Sequence, residues 1–576
     1  MGLNASRRFR FLFVSIFFVS LLAASPKLRL NTSAIGPVSV AAGTNGPSQS
    51  VDAYNAGDGS LSLTAAGSAA WLAPAVGAAR SCATGTCYAI QIGLQTSALA
   101  PGVYTGTVTV SDPKALDAPQ TITVTAQVGG GIPAKVDLWV PPDQSSRDYT
   151  FSTNSPLTTR AMSQSGGNWL AVALDGGGSI RFAYPYRIRV THQPGMPEGT
   201  YQGSVAVSGS TFAPDNKTVG VTMQVTSQPI AKAAPERVAL RLAQGAPKQV
   251  RVVQAVNDGK GTLQLSSATA ATASGGNWLT ASAPTGLAVP LTFDTANMEP
   301  GTYQGSMTLS TNAVNGAVTV PVELEVVAKG TPLATYQGVV DNATFEKDGQ
   351  VAGGAIAAVF GEQLSMAEPA QGKELPLVTK LADTRVLVNG QPAPLYFTSY
   401  GQINFQMPYG LPAGTAEVRV ERDGQAGNAV TVQVAERAPR LLRLGIGDYG
   451  IIVNQDGSFP MPATPGLLSR PARAGEALVI YAIGLGPTSP PAATGAAAPS
   501  VEPLARVAGN TSVTFGGGFT GTGITVAPLF VGLTPGFVGL YQINVLVPPD
   551  APKGPAVGLS VKVDNATGNI VRIAIE

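Results

Sequence analysis

Histidine, cysteine and charged side chains are scarce in this sequence. Its 576 residues include one histidine and two cysteines, 12% of them are charged, and the net charge is +2. A zinc site needs several Cys or His ligands, and a nucleic-acid binder gains affinity from clustered Lys and Arg side chains. The composition therefore predicts no metal centre and no nucleic-acid partner, and it indicates no cofactor.

Long apolar runs are also missing after the first 24 residues, so no membrane span is expected in the mature chain. Those first residues combine Arg7, Arg8 and Arg10 with an apolar stretch at 11–24. A basic start followed by a short apolar core is typical of a signal peptide. We expect residues 1–24 to be removed and the protein to be secreted, or held at the cell surface or in the periplasm.

The single histidine restricts hydrolytic catalysis. A Ser-His-Asp hydrolase would have to use His192, and no serine lies in a Gly-x-Ser-x-Gly turn. His192 follows an alternating strand pattern, which predicts a solvated loop histidine. The acidic residues lie singly at turns, so we predict no catalytic residues and a protein that is not an enzyme. A secreted glycan-active enzyme is the most distant alternative, because the spacing of a glycosidase's two carboxylates is set in three dimensions.

Repetition dominates the first 330 residues. The phrase MEPGTYQGS at 298–306 echoes MPEGTYQGS at 196–204 and, more loosely, LAPGVYTGT at 99–107. Pro and Gly before alternating Tyr, Val and Thr residues are typical of a turn that leads into a β-strand. A Trp-Leu pair precedes each phrase, and its fixed place predicts a core role for the three tryptophans, which are Trp71, Trp169 and Trp278.

The repeats predict three β-modules, at 25–128 (module 1), 133–226 (module 2) and 235–328 (module 3). An Asn-x-Gly-x-Gly-x-Leu turn occurs at Asn55 and again at Asn257. Alternating strands follow in each module and put one face of each strand inward, which is typical of a two-sheet sandwich.

The order of the Asn-Gly turn, the Trp-Leu strand and the Pro-Gly-Thr-Tyr-x-Gly phrase resembles BACON domains. These are small immunoglobulin-like sandwiches found in tandem in secreted bacterial proteins. Module 3 matches best, and module 2 lacks the Asn-Gly turn. The resemblance implies an immunoglobulin-like fold and, from the family's name, carbohydrate binding; a spacer role is equally compatible with it.

From about residue 335 the sequence changes character. Its motifs resemble the uncharacterised C-terminal domain of Solibacter-type secreted bacterial proteins, a family that carries no known activity. The matching segments are VVDNATF at 339–345, AGGAIAAVFG at 352–361, PAPLYF at 392–397, GQINFQMP at 401–408, YAIGLGP at 481–487 and GFVGLYQIN at 536–544.

This region is itself a duplication, because QIN at 402–404 recurs at 542–544. It predicts two further immunoglobulin-like units, at 335–436 (unit 4) and 437–576 (unit 5), with a flexible Pro/Ala/Gly insertion at 488–503. Each Gln-Ile-Asn run is followed by a proline and resembles a strand that ends at a rigid turn. Its Gln and Asn side chains are predicted to satisfy backbone groups of that turn, and ligand binding is the alternative. The fold class expected is all-β, with about five tandem immunoglobulin-like β-sandwich domains after the signal peptide.

The two cysteines, Cys82 and Cys87, lie five residues apart. In an exported protein this spacing favours a disulfide that closes a short hairpin loop. Free thiols are the alternative. A zinc site is a weaker reading because no histidine lies nearby.

Residues that break the repeat are the candidates for ligand binding. Sugar recognition uses exposed aromatic faces with polar neighbours. Trp139 and Tyr184, with Arg187 and Arg189, have no counterparts in the other modules. We name these four as candidate ligand-binding residues. For Trp139, which precedes two prolines, the alternative is a packing contact with a linker.

The sequence favours an exported, non-enzymatic scaffold or adhesion protein of the bacterial cell exterior, in which the five sandwiches form a semi-rigid rod. The alternative is a carbohydrate-binding protein with its site in one BACON-like module. The expected partner is accordingly an extracellular polysaccharide or a cell-surface protein. Thr- and Val-rich strands with few charges also predict self-association through strand edges.

Overall fold

The computed structural model describes residues 26–576 except 84, 116, 144, 154–155, 176–183, 348 and 518–522. The predicted signal peptide therefore lies outside the described residues. Apart from one short 3-10 helix at Ala213–Asp215, the regular structure of the described residues is entirely β. None of the helical structure in this part of the chain is long or apolar enough to cross a membrane. The all-β prediction is confirmed.

Modules 1 to 3 are two-sheet sandwiches with the same strand order, except that the first sheet of module 2 lacks, among the described residues, the edge strand that begins this sheet in modules 1 and 3. In module 1 the first sheet contains, in pairing order, Leu28–Leu30, Gly46–Asn55, Gly85–Leu94 and Leu72–Cys82. The second sheet contains Ala34–Val40, Gln120–Val128, Gly102–Ser111 and Thr64–Gly67. In module 2 the first sheet contains Ser146–Thr153, Tyr184–Thr191 and Leu170–Leu174. The second sheet contains Lys135–Val140, Lys217–Val225, Gly199–Ser208 and Thr158–Ser163. In module 3 the first sheet contains Ala231–Ala234, Gln249–Asn257, Ala288–Phe293 and Leu279–Ala281. The second sheet contains Val238–Ala243, Val318–Val327, Gly301–Thr311 and Leu265–Thr272. The first two strands of each second sheet run parallel.

Units 4 and 5 are also sandwiches, and no sheet of the described residues crosses from one unit to another. The sheets of unit 4 are Leu333–Asp341, Ile356–Glu362, Gln402–Gln406, Leu395–Thr398, Ala370–Gln371 and Gln350–Ala352, Gln425–Ala435, Gly414–Arg422, Thr384–Val388, Gln391–Pro392. Those of unit 5 are Arg440–Leu441, Ala477–Ile483, Tyr541–Leu546, Phe530–Leu533, Arg506–Val507, Thr488–Ser489 and Ile524–Val526, Thr511–Phe515, Gly554–Val563, Ala566–Thr567. Ile452–Asn454 and Val571–Ile575 add to these sheets, and Phe459–Pro460 pairs with Ser469–Arg470.

The repeated Trp-Leu pair fills the core of each module. Trp71, Trp169 and Trp278 are 7%, 1% and 2% exposed, as their register predicts. The tyrosine of each repeated phrase donates its hydroxyl to the carbonyl four residues earlier, at 2.8 Å in all three copies. The glycine two residues further on leaves room for the indole, since a Cβ at Gly305 would lie 3.1 Å from the ring of Trp278. The repeated phrase therefore serves to pack each strand against the tryptophan in the core of its module.

His192 is buried, so the prediction of a solvated histidine was wrong. The residue is 6% exposed, and its Nε2 lies 2.9 Å from the carbonyl oxygen of Met196. Its backbone N–H also donates to the carbonyl of Ser145 at 3.1 Å. The strand before it ends inside the sandwich, and the turn that follows covers the ring.

The Gln-Ile-Asn runs lie in strands, as predicted, but their side chains bond to each other and not to backbone groups of the turn that follows. Gln402 donates its side-chain amide to the side-chain oxygen of Asn404 at 2.8 Å, and Gln542 does the same to Asn544 at 3.4 Å. Side chains two residues apart share one face of a strand, so the two amides hydrogen-bond to each other.

Module 3 and unit 4 share a buried joint. Tyr400 of unit 4 is 5% exposed and packs in the hydrophobic core of module 3. Its hydroxyl oxygen accepts the backbone N–H of Ala243 at 2.7 Å. Gln363 holds the connecting segment by accepting the N–H of Gly330 at 2.8 Å, and the buried Arg422 donates to the carbonyl of the same glycine. The joint is therefore rigid.

Units 4 and 5 are joined through the segment that the sequence predicted to be flexible. The side chain of Gln406, fully buried, accepts the N–H of Gly495 at 2.6 Å and donates to the carbonyl of Gly354 at 3.1 Å. Thr494 accepts the N–H of Tyr409 at 3.0 Å. Part of the 488–503 insertion therefore packs against unit 4, because its backbone groups find partners there.

Ion pairs join module 2 to module 3. The guanidinium Nε of Arg147 lies 2.8 Å from a carboxylate oxygen of Asp258, and the amine of Lys260 lies 2.6 Å from a carboxylate oxygen of Asp143. Arg147 also donates to the backbone carbonyl of Asp258 at 2.6 Å. These contacts come from the turn that the Asn257 motif predicts.

The ion pair between Lys260 and Asp143 shifts the pKa of the Asp143 carboxyl. Hydrogen bonds from Lys260 and then Ser145 lower the pKa of Asp143 from 3.8 to about 2. Because the folded-state pKa is the lower one, the stabilisation is present above pH 3.8 and is lost as the pH falls through about 2. Lys260→Met is expected to raise the pKa of Asp143 toward 3.8, as measured by NMR of labelled carboxyl carbons. Lys248→Met, which removes the partner of Asp294, serves as the control, and an unmoved Asp143 in Lys260→Met would contradict this account.

Module 1 contacts parts of the chain far from it in sequence. Its Arg29 guanidinium lies 5.0 Å from the ring centroid of Tyr336 and donates to the hydroxyl of that tyrosine at 3.0 Å. Asn428 of unit 4 donates to the carbonyl of Ala118 at 3.0 Å. A straight rod of five domains would leave these residues apart, so the chain bends back on itself.

Candidate functional site

The four residues predicted to bind a ligand lie in two different sheets of module 2. Trp139 is in the edge strand Lys135–Val140, and the other three are in Tyr184–Thr191 of the opposite sheet. Tyr184 packs against the hydrophobic core of the module. Arg187 and Arg189 occupy alternate positions that point to the outer face, since successive residues of a strand face opposite sides. The structure does not bring the four together.

The two arginines are paired with acidic side chains. Arg189 makes two hydrogen bonds of 2.7 Å to the carboxylate of Asp148, and this contact is the main cause of the lowered pKa of that carboxyl. Arg187 lies 3.8 Å from Asp148 and 3.6 Å from Asp175. Trp139 is half-buried, and its indole N–H is buried with no hydrogen-bond partner among the described residues. Their role in binding stays a prediction.

Cys82 and Cys87 form a disulfide in the structure, with their Cα atoms 5.9 Å apart. The bond closes the hairpin between the strands Leu72–Cys82 and Gly85–Leu94. Neither cysteine lines the cavities that lie between module 1 and module 3.

Removing this disulfide is expected to destabilise module 1. The Cys82→Ser, Cys87→Ser variant should lose about 2 kcal/mol of unfolding free energy, because the unfolded chain regains the freedom of a short loop. Chemical denaturation under oxidising conditions measures the loss. Reducing agent should shift the wild type by the same amount and leave the variant unchanged; a variant as stable as the oxidised wild type would contradict the expectation.

A groove separates module 1 from module 3 and reaches unit 4. It contains three cavities of about 810, 420 and 330 Å³, which share Thr109 and Arg241 in their linings. Ser68 of module 1 accepts a hydrogen bond at its backbone carbonyl from the hydroxyl of Thr302 in module 3, which bridges the groove at one place. We call this region the intermodule groove.

The two walls of the intermodule groove differ in chemistry. Module 1 contributes threonines that alternate along the strand Gly102–Ser111, namely Thr105, Thr107 and Thr109. Module 3 contributes charged side chains from two parallel strands, paired across the sheet as Arg237 with Glu323 at 3.0 Å and Arg241 with Glu325 at 3.1 Å. One wall is therefore neutral and hydroxylated, and the other is charged but internally balanced.

Arg241 is the central charge of the groove, because it also contacts Glu362 of unit 4. Burial raises the pKa of both Glu325 and Glu362, and the guanidinium partly opposes that rise. The three side chains form one ion-pair cluster at the meeting point of module 3 and unit 4. Its geometry holds the carboxylates as hydrogen-bond acceptors with fixed positions.

Sequence reasoning did not identify this groove. Its walls come from residues more than one hundred positions apart, and each wall alone shows only the polar alternation of an ordinary solvated sheet face. The sole signal is the alternation of Arg237 and Arg241 against Glu323 and Glu325. That pattern becomes informative once the two strands are known to be parallel neighbours.

No protein-family model matches this sequence, and no curated protein matches it significantly. An endo-fucoidan hydrolase from glycoside hydrolase family 107 is 17% identical with a TM-score of 0.17, over 53% of this chain and 45% of its own. The human desmocollin-1 ectodomain is 12% identical with a TM-score of 0.16, over 72% and 79%. Cadherin domains 1–5 of protocadherin gamma B2 are 10% identical with a TM-score of 0.14, over 90% and 93%. This chain thus spans less than half of the hydrolase, and similarities at these scores carry no argument about function.

Proposed function

We propose that this chain is an exported, non-enzymatic scaffold or adhesion protein of the bacterial cell exterior, related to the BACON-like and Solibacter-type secreted proteins that its motifs resemble. The observation that carries the proposal is how the sandwiches are joined. Buried side chains such as Tyr400 and Gln406 cross from one sandwich to the next. Module 3 and units 4 and 5, held in this way, present a continuous surface of fixed shape, which suits contact with an extended partner.

The state of the carboxylates in the groove supports binding over catalysis. General acid–base chemistry needs carboxylates that can exchange protons with a substrate. Glu323 and Glu325 each accept hydrogen bonds from arginine side chains, and Glu362 contacts the same guanidinium as Glu325. Carboxylates held in this way act as hydrogen-bond acceptors of fixed position, as binding requires; because burial also raises the pKa of Glu325 and Glu362, the turnover assay below is the test of the non-enzymatic role.

Carbohydrate binding is the second candidate function. The specific observation in its favour is the intermodule groove, whose main cavity of about 810 Å³ lies in the range of small-molecule sites. A site within module 2 alone requires Trp139 to act without Tyr184, Arg187 and Arg189, because the structure separates these side chains.

Binding and turnover assays test the adhesion proposal. The mature protein, from residue 25 onward, is incubated with intact bacterial cells, cell-wall material and a panel of soluble and insoluble polysaccharides. We expect saturable retention on at least one surface material and no release of reducing sugar. Absence of retention on every material would contradict adhesion, and released product would contradict the non-enzymatic role.

Export is tested separately with a fusion of residues 1–24 to alkaline phosphatase, which folds to activity only outside the cytoplasm. We expect phosphatase activity from this fusion. A variant with Arg7, Arg8 and Arg10 replaced by glutamate should lose that activity, because the basic start of the signal is gone. Inactivity of the unaltered fusion would contradict export through this segment.

A further inference from the structure

We infer that the intermodule groove is a binding site for a neutral, hydroxyl-rich chain, namely an oligosaccharide segment of a larger polymer. The inference rests on the proposed function for its setting outside the cell. It assigns the site to a junction of module 1, module 3 and unit 4, and to none of these alone.

The hydroxyl wall sets the kind of hydrogen bond available. Thr105, Thr107 and Thr109 lie on one face of their strand, and Thr121 lines the groove from the neighbouring strand. Each threonine hydroxyl can donate one hydrogen bond and accept others. A row of such groups fits a ligand whose own groups both donate and accept, as sugar hydroxyls do.

The charged wall sets the net charge of the ligand. Arg237 and Arg241 pair with Glu323 and Glu325. Over the three cavities Lys347 balances Glu362, so the lining offers strong donors and acceptors with equal numbers of basic and acidic side chains. A polyanion would meet the carboxylates, and a polycation would meet the guanidinium groups. A neutral ligand can hydrogen-bond to both kinds of group without charge repulsion.

Gln304 and one aromatic side chain complete the lining of the main cavity. The side-chain amide of Gln304 donates to Glu323 at 3.1 Å, and its oxygen atom remains available as an acceptor. Tyr104, half-buried, is the aromatic side chain that module 1 presents to this cavity, because Trp71 borders the cavity but is 7% exposed and belongs to the core of the module. Aromatic carbon next to fixed polar groups is the combination that packs against the C–H faces of sugar rings.

An extended polypeptide is the competing occupant. It would match the hydroxyl wall through its backbone, but its side chains would need apolar pockets. The threonines and the Arg–Glu pairs provide rows of hydrogen-bonding groups, and the small apolar residues of the main cavity, such as Ala66, Ala69 and Pro300, offer shallow patches of the kind that sugar C–H faces pack against. The groove therefore favours sugar over peptide, and the experiment includes both.

Titration calorimetry with defined probes tests the site. The probes are xylan, glucomannan and β-1,3-glucan as neutral chains, alginate as a polyanion, and an unstructured neutral peptide. We expect the full chain to bind at least one neutral glycan. The Thr107→Val, Thr109→Val variant and Gln304→Ala should each weaken that binding about tenfold, which is about 1.4 kcal/mol, because each removes hydrogen-bonding groups while keeping strand geometry.

The matched control is Thr150→Val, Thr218→Val, which changes two exposed strand threonines of module 2 that are absent from the groove lining. It should bind as the wild type does. Thr109→Trp, which places an indole where the three cavities share a lining residue, should abolish binding while leaving the thermal unfolding of the protein unchanged.

Three outcomes would overturn the inference: no binding of any neutral glycan, binding of the peptide or alginate in preference, or glycan binding that survives Thr109→Trp. Reducing ends are assayed in the same samples. Glycan turnover with groove-dependent binding would refute the non-enzymatic proposal and leave this site standing, so the two failures can be told apart.

Discussion

Replacing Tyr400 by alanine is expected to lower the free energy of unfolding by about 3–5 kcal/mol, the usual cost of emptying a buried aromatic site. The effect should reach two domains, because the ring belongs to unit 4 and packs in the core of module 3. The variant also leaves the N–H of Ala243, which donates to the tyrosine hydroxyl, without its partner. Calorimetry should show one shared transition of module 3 and unit 4 in the wild type and two separated transitions in the variant.

Two further variants make this expectation specific. Tyr400→Phe keeps the ring and loses only the hydroxyl acceptor, so it should cost about 1–3 kcal/mol and keep the shared transition. Tyr336→Ala changes an exposed tyrosine of the same unit and should affect the joint little. A single unchanged transition in Tyr400→Ala would show that the two domains are coupled through other contacts.

The second large effect is expected at Trp278. Trp278→Ala should lower the unfolding free energy of module 3 by about 3–5 kcal/mol, because the indole is 2% exposed and fills the centre of the sandwich. The variant also loses the hydrogen bond from the indole N–H to the carbonyl of Ser274, which is 2.9 Å long. Chemical denaturation measures this change when unfolding is followed by far-ultraviolet circular dichroism, whose signal comes from the backbone and not from tryptophan.

Trp139→Ala is the matched control for this prediction. It removes the same side chain from a half-buried position on an edge strand of module 2. Its cost should be smaller, since the indole lies outside the hydrophobic core of that module. Equal destabilisation by the two variants would contradict the core assignment that the repeat predicts.

Local motifs in the sequence were enough to predict much of the fold. Asn55 and Asn257 occupy the same turn, and each accepts the N–H two residues on and donates to the carbonyl four residues on. Such turns, with the Trp-Leu strand and the Tyr phrase, depend on contacts within a few residues or within one sheet. Repetition makes these contacts visible in a single sequence, because each copy meets the same packing requirement.

Contacts between domains could not be read in this way. Gln406 looks like part of the duplicated Gln-Ile-Asn strand, yet its amide is buried against a glycine 89 positions away. The Pro/Ala/Gly composition of the 488–503 segment resembles a loose linker, and only the position of unit 4 explains why it packs. The intermodule groove depends on three domains at once, so no local pattern contains it.

The parallel pairing within each of the first three modules has a mechanical consequence. In module 3, Val238 lies beside Val322 and Ala243 beside Val327, so the two strands run in the same direction. Once the short strand before them has detached, tension along the chain slides these strands past each other and loads all of their hydrogen bonds together. A hairpin pulled at its open end would break one bond at a time. The modules are thus built to withstand stretching, and their lifetime under load is set by how fast they unfold rather than by how stable they are at rest.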